Sequence, residues 1–125
     1  MNQKAILIAG SFFGALSVMI GAFGAHALRN LLTQTNRLET FETAVKYQFY
    51  HALALLLLGV LMYHVNHPAM RWAGLCFVGG ILIFSGSLYI LCLSGITWLG
   101  AITPIGGTLM IAGWLCLLYA IAKQH

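Results

Sequence analysis

Four long apolar stretches constrain the fold of this chain more than any other feature. Crossing a hydrocarbon core of about 30 Å takes roughly 20 residues of helix, and each stretch is close to that length. A helix satisfies its backbone hydrogen bonds internally, so in lipid it can span where other open structures cannot. The predicted spans cover residues 5–28, 47–63, 72–93 and 98–121.

Composition points to the same environment. The chain is 61% hydrophobic and only 6% charged, whereas soluble domains carry roughly 25% charged residues. Its net charge of +4 comes from six Lys and Arg against two Glu. These few cations are scattered and do not form the clustered face of a nucleic-acid-binding protein. The expected partner is therefore the lipid bilayer, and no nucleic acid is expected.

The connections between the predicted spans define the topology. The second and third spans are joined by HVNHPAMR, and the third and fourth by SGIT. Connections this short make consecutive helices antiparallel neighbours. The sequence therefore predicts an all-α membrane protein, a single domain over residues 1–125, with four transmembrane helices in an up-and-down bundle.

The longer connection, NLLTQTNRLETFETAVK, carries its own helix signal. Asn36 and Glu39 have the spacing of a capping box, and Glu42 and Lys46 form a favourable i, i+4 pair. Apolar residues follow one face of the same segment. We therefore expect a short amphipathic interfacial helix at about residues 36–46, between the first and second spans and leading into the second with or without a break.

The first span has some features of a secretory signal. Lys4 precedes the apolar run, and Ala25-His26-Ala27 has the form of a cleavage site. The run is, however, longer than the 7–15 residues of a typical signal core. We expect it to be retained as a membrane helix.

Orientation depends on the Lys and Arg residues near the helix ends. Lys4, Arg71 and Lys123 fall on one side and the other three cations on the opposite side. This balance leaves the direction open. The uncharged SGIT loop would cross the bilayer most easily, which favours both termini in the cytoplasm of a cell whose inner (plasma) membrane holds the protein.

A stripe of small residues runs along the first span. Spacings of 4, 3, 4 and 3 place its members on one helical face, where small side chains allow close approach of another helix in lipid. The same stripe suits a monomeric bundle, a homo-oligomer or a larger membrane complex. Its members are Gly10, Gly14, Ser17, Gly21 and Gly24.

Polar residues near the ends of the first two spans form a candidate cluster. Ionisable side chains at membrane depth are costly and tend to face the protein interior. The cluster would either fasten the helices together or bind a metal, lipid headgroup or cofactor, or relay protons, since imidazole titrates near neutrality. Its predicted members are His26, His51, Tyr47, Tyr50 and Glu42.

The sequence offers no catalytic, metal or cofactor motif. Cys76, Cys92 and Cys116 lie in apolar runs without ligand spacing and are interpreted as packing residues. Two histidines are too few for a closed zinc site, which takes four ligands. Trp114 lies inside the fourth span, away from the interfacial belt where Trp is enriched, and is interpreted as a packing residue. No catalytic residue, metal or cofactor is therefore predicted.

Four separated motifs resemble those of a known family. They are GAFGAHAL at 21–28, FETAVKYQFYHALALL at 41–56, GSLYIL at 86–91 and LGAITPIGG at 99–107. In this order they resemble the YgdD-like family of small bacterial inner-membrane proteins, catalogued as domain of unknown function 423. The resemblance implies a multi-pass membrane protein but no activity and no site residues.

Three classes of function remain open from the sequence. The leading interpretation is a non-enzymatic accessory or structural membrane component. The second is a small transporter or channel, although a proton-coupled exporter needs a deep carboxylate and both Glu39 and Glu42 lie in the connection. The third is a metal- or cofactor-binding protein that uses the histidine cluster. None of these interpretations identifies a small-molecule ligand.

Overall fold

The computed structural model describes residues 1–124 and confirms the all-α class. Four of its helical segments are long and apolar enough to cross a membrane. A short 3₁₀ turn, Thr97–Ala101, joins the last two long helices. The α-helices are α1 Gln3–His26, α2 Arg29–Gln34, α3 Leu38–Leu61, α4 Ala69–Ser94 and α5 Thr103–Ala122.

Local sequence explains where several helices begin and end. The Asn2 side chain accepts a hydrogen bond of 2.8 Å from the Ala5 N–H and caps α1. Helix α4 is capped at its C-terminal end by Gly95, whose φ of +76° lies in the left-handed region that glycine adopts without strain. Pro104 lies in the first turn of α5, where its missing N–H costs nothing.

The connection between the first two spans has no separate interfacial helix at residues 36–46, and of the two arrangements that the sequence left open the unbroken one is observed. The segment expected to form an interfacial helix is instead the first two turns of α3, which continues without a break from Leu38. Neither proline nor glycine interrupts it before Gly59. Asn36 does not cap this helix, because it adopts φ +56° and Arg37 occupies the cap position without a side-chain bond. The separate short helix is α2, which precedes Asn36.

The glycine stripe of α1 lies against α3. An added Cβ on Gly10 would lie 3.0 Å from the Ala52 carbonyl oxygen, and one on Gly24 would overlap the Phe41 ring. Gly14 and Gly21 face the same helix with slightly more space. Ser17 is buried in the same seam. The two helices therefore approach closely along their whole length and run antiparallel.

Helices α4 and α5 form the second close pair. An added Cβ on Gly106 would overlap the backbone of Phe84, and one on Gly80 would press on Met110. Ser87 and Thr103 share a hydrogen bond of 2.7 Å across this seam. The packing order is thus α1 on α3, α3 on α4 and α4 on α5. Helix α5 is held by α4, which leaves a space between α5 and α3.

Candidate functional site

His51 is a buried ionisable side chain near the middle of the bundle. It is only 5% exposed, and the midpoint of α3 falls between Phe49 and Tyr50, one or two residues away. At a rise of about 1.5 Å per residue, the His51 Cα is roughly 2 Å from the middle of that helix. A buried imidazole at this depth marks a candidate functional site.

Both ring nitrogens of His51 have hydrogen-bond partners. The Trp114 indole N–H, on α5, donates to Nε2 of His51 at 3.1 Å. Because an indole only donates, Nε2 must carry the lone pair and Nδ1 the proton. Nδ1 then donates to the Tyr47 carbonyl oxygen at 2.8 Å. The arrangement requires a neutral imidazole in a single tautomer.

A cleft opens above this pair. We call it the α3–α5 cleft; its volume is about 600 Å³, and His51, Trp114, Tyr47, Phe84, Thr108 and Met110 are among its lining residues. His51 and Met110 are buried in its floor, which the 45% exposed Trp114 completes, and Tyr47 is 42% exposed at its side. The lining extends from His51 and Trp114, near the middle of α3 and α5, to Thr43 and Pro104 near the beginnings of these helices. Since both helices belong to segments long enough to span a membrane, the cleft would open to lipid between mid-depth and one membrane face.

Aromatic rings hold the imidazole in place. The His51 ring centroid lies 5.5 Å from Phe77 and 6.0 Å from Trp114, in tilted and edge-on arrangements. Phe77 is fully buried, and its ring also packs edge-on against Trp114 at 5.2 Å. Edge-to-face contacts of this kind are favourable. The imidazole is therefore packed against the Phe77 and Trp114 rings at the floor of the cleft.

A second polar chain lies behind the floor and ties three helices together. The Tyr89 hydroxyl on α4 donates to Oε1 of Gln48 on α3 at 2.6 Å. Nε2 of Gln48 donates to the Phe13 carbonyl oxygen on α1 at 3.0 Å. Ser85 adds a bond of 2.7 Å to the Ala44 carbonyl oxygen. The polar groups at this depth are thus satisfied, as burial requires.

The structure separates the two histidines that the sequence analysis grouped. His26 is exposed at the last residue of α1, and nearby Gly24 faces Phe41. His51 lies ten residues further along α3 than Phe41, about 15 Å at the helical rise. The predicted second span begins at residue 47, which places His51 near its beginning, whereas the helix begins at Leu38.

The remaining members of the predicted cluster also lie at different places in the structure. Tyr47 lies beside His51 in the α3–α5 cleft. Tyr50 contacts Tyr47 edge-on at 5.9 Å but is outside the cleft and 53% exposed. Glu42 lines a separate depression with Gly21 and Lys46. The structure therefore keeps Tyr47 and His51 as one site and leaves His26 and Glu42 elsewhere.

Sequence reasoning missed Trp114, Gln48 and Tyr89. Each carried a signal, because a Trp, Gln or Tyr in mid-span needs a hydrogen-bond partner in lipid. Gln48 and His51 are also three residues apart, on neighbouring positions of one helix. Which partner each side chain meets depends on the helix packing, which the sequence does not display.

Metal binding finds no support in the geometry of the described residues. Within residues 1–124 there is no group of three or more His, Cys, Asp or Glu placed to hold a metal ion. The three cysteines are free thiols; Cys92 is buried, whereas Cys76 and Cys116 are half-buried. They pack between helices, and none of them lines the α3–α5 cleft.

Four membrane-length helices with a polar floor at mid-depth define a small multi-pass membrane protein with a lateral cleft. Comparison with known proteins agrees. Residues 20–107 match the model of a family described as protein of unknown function (DUF423). The chain belongs to this family.

Relatives match over nearly the whole chain. It is 46% identical over 121 residues to the UPF0382 membrane protein SH2409 of Staphylococcus haemolyticus, covering 97% of this chain and 98% of the relative. It is 39% identical over 122 residues to the UPF0382 membrane protein YwdK of Bacillus subtilis, with the same coverage. No solved structure matches the chain significantly.

Proposed function

We propose that the protein is a non-enzymatic membrane component that holds a lipid-soluble molecule in the α3–α5 cleft. The observation that carries the proposal is the hydrogen-bonded His51–Trp114 pair, which forms a polar floor beneath a cavity of about 600 Å³. Small-molecule sites are typically concave, largely apolar and roughly 300–1,000 Å³ in volume, with a few convergent polar groups. The cleft has these properties.

The polar groups at the cleft indicate the chemistry of its occupant. Among the described residues, none accepts a hydrogen bond from the Tyr47 hydroxyl, while Thr108 donates to the Pro104 carbonyl oxygen at 2.8 Å. A free hydroxyl in hydrocarbon is costly. A carbonyl or ether oxygen on the ligand would satisfy it. The ligand class is therefore an apolar body with a hydrogen-bond-accepting head.

Holding fits the site better than catalysis. Both nitrogens of His51 are engaged, one by the Trp114 indole and one by the Tyr47 carbonyl oxygen. A general base instead needs a free lone pair within about 3 Å of the proton that it abstracts. Neither acidic residue of the chain lines the cleft, since Glu39 and Glu42 lie near the beginning of α3. The site thus favours a positioning role for His51.

A quinone with a short alkyl tail tests the proposal. Decylubiquinone has two ring carbonyls and an apolar body, and it quenches tryptophan. In a Trp72→Phe, Trp98→Phe background, Trp114 is the sole tryptophan, and excitation at a wavelength that tyrosine does not absorb reports on it alone in a reconstituted vesicle. We expect saturable quenching of Trp114, with the apparent affinity weakened roughly three- to tenfold by Tyr47→Phe, the effect of one hydrogen bond of about 1 kcal/mol.

Tyr50→Phe is the matched control. It removes the same hydroxyl from the neighbouring tyrosine, which is outside the cleft, and should leave the apparent affinity unchanged. Quenching that rises linearly without saturation, and equally in both variants, would show only collisions in the bilayer. That result would contradict the proposed site.

The accessory role is a further part of the proposal. The outward face of α1 is apolar and exposed, with Phe12, Val18, Met19 and Phe23 each more than half exposed. Such a face suits lipid, a second copy or a helix of a larger complex. Gentle detergent extraction followed by native mass analysis distinguishes these. A strictly monomeric species without bound protein would contradict the accessory role. It would not affect the proposal that the α3–α5 cleft binds a ligand.

A further inference from the structure

The two ends of the bundle differ in charge. The only two acidic residues of the chain, Glu39 and Glu42, lie at the end that also holds Arg29 and Arg37. The opposite end holds Lys4 of α1, Arg71 of α4 and Lys123 after α5. Its described residues include no carboxylate side chain. The described side chains at this end would therefore present a net positive charge to the headgroups.

A polar pocket lies at this positive end. Its volume is about 580 Å³, and we call it the His67 pocket; it is lined by His64, Asn66, His67, Tyr119, Lys123 and Gln124. The first three residues come from the connection between α3 and α4, and the others from the end of α5. The pocket thus joins two segments that are far apart in sequence.

The Tyr119 ring contacts two hydrogen-bond donors of this pocket, His67 and Lys123. The His67 ring packs edge-on against it at a centroid distance of 5.4 Å, and the Lys123 ammonium lies 5.9 Å from its centroid. Nδ1 of His67 accepts a bond of 3.0 Å from the Ala69 N–H. The ring proton is consequently on Nε2, which faces no acceptor among the described side chains. An ammonium, an imidazole N–H and the Asn66 amide are thereby available together.

This donor set fits a phosphate group. Phosphate oxygens accept several hydrogen bonds at once, and charge-assisted bonds from Lys are the stronger kind. Basic pockets between helices at the membrane surface commonly take lipid headgroups. We propose that the His67 pocket binds a phosphate ester, supplied by the headgroup of an anionic phospholipid in the adjoining leaflet. The inference is independent of the α3–α5 cleft.

Native mass analysis of protein taken from mixed vesicles tests this proposal. The vesicles contain phosphatidylglycerol and phosphatidylcholine, and the ratio of the two protein–lipid complexes is measured at pH 8. We expect several-fold enrichment of phosphatidylglycerol. Lys123→Gln should lower the enrichment about fivefold, the effect of removing one surface charge. His67→Asn keeps an acceptor for the Ala69 N–H but loses the Nε2 donor, and should also lower it.

Lys4→Gln is the matched control. The substitution removes one positive charge at the same end of the bundle, but Lys4 lines a different depression. It should therefore lower the phosphatidylglycerol enrichment less than Lys123→Gln does. Equal losses for the two Lys variants, with no effect of His67→Asn, would indicate diffuse surface attraction and overturn the pocket. Each variant's thermal unfolding must match the parent, and His64→Asn replaces His67→Asn if that variant fails to fold.

A second arm identifies the source of the phosphate. Glycerol 3-phosphate is added to protein in pure phosphatidylcholine vesicles, and its binding is measured by calorimetry. The proposal expects no binding at concentrations where phosphatidylglycerol enrichment is complete. Tight binding of the free ester, abolished by Lys123→Gln, would support the phosphate chemistry and overturn the lipid as its source.

Discussion

Trp114 of α5 and His51 of α3 are joined by a hydrogen bond of 3.1 Å across the middle of the bundle. The two helices have no other side-chain hydrogen bond among the described residues, because α5 packs against α4. The pair therefore closes the floor of the α3–α5 cleft and fixes the tautomer of the imidazole. It is the feature on which the proposed site depends.

Trp114→Phe should destabilise the protein. The variant keeps an aromatic ring against Phe77 but leaves Nε2 of His51 without its donor. Membrane hydrogen bonds measured by double-mutant cycles average about 0.6 kcal/mol and reach about 1.7 kcal/mol, so a loss in this range is expected. Unfolding in mixed micelles of increasing dodecyl sulfate measures it. Trp72→Phe, on an exposed ring, is the control and should change stability little.

Gly106→Ala should be far more damaging than Gly107→Ala. A Cβ at residue 106 would overlap the Phe84 backbone, whereas one at residue 107 would meet only the Phe84 ring at 3.7 Å. Overpacking typically costs about 1–3 kcal/mol. The α4–α5 seam would have to open. Expression level and the midpoint of unfolding measure the difference. Equal values for these two neighbouring variants would contradict the close packing of α4 against α5 at Gly106.

Gly24→Ala and Gly14→Ala form a second matched pair, in the α1–α3 seam. The Cβ at residue 24 would overlap the Phe41 ring, while that at residue 14 comes no nearer than 4.0 Å to Ala52. Because a ring can rotate away, we expect a cost near the lower end of the range of about 1–3 kcal/mol. Gly14→Ala should be neutral or slightly stabilising, since alanine favours helix.

Tyr89 and Gln48 should be energetically coupled. The Tyr89 hydroxyl donates to Gln48 at 2.6 Å, and Gln48 continues to the Phe13 carbonyl oxygen. A cycle with Tyr89→Phe and Gln48→Met isolates the pairwise contribution. The expected coupling is about 0.5–1.5 kcal/mol. Additive losses would mean that the two side chains do not share a bond in the membrane.

The large features of the fold could be predicted because each depends on a pattern of residues close together in the sequence. Four apolar stretches predicted four membrane-length helices, and the spacing of Gly10 to Gly24 predicted one face of α1. The polar site was harder to predict. The beginning of α3 was placed at residue 47, since the polar face of residues 38–46 hides the continuity of that helix, and this moved His51 from the middle of its helix to an end.

The partners of the polar groups depend on tertiary contacts. Trp114 is 63 residues from His51, and Tyr89 is 41 residues from Gln48. Periodicity within one helix identifies which side chains share a face but not which face of another helix they meet. Grouping His26 with His51 followed from placing His26 at the end of the first span and His51 at the beginning of the second, and therefore both at the same face of the membrane.

The depth of Trp114 tests the central claim most directly. Trp72→Phe and Trp98→Phe leave Trp114 as the sole tryptophan, and its fluorescence is measured in vesicles of phosphatidylcholines brominated at different positions along the acyl chains. We predict the strongest quenching by bromines near the chain ends, because the His51–Trp114 pair lies at the middle of α3 and α5. Strongest quenching by bromines near the headgroup, or by aqueous iodide, would contradict a polar floor at the centre of the membrane.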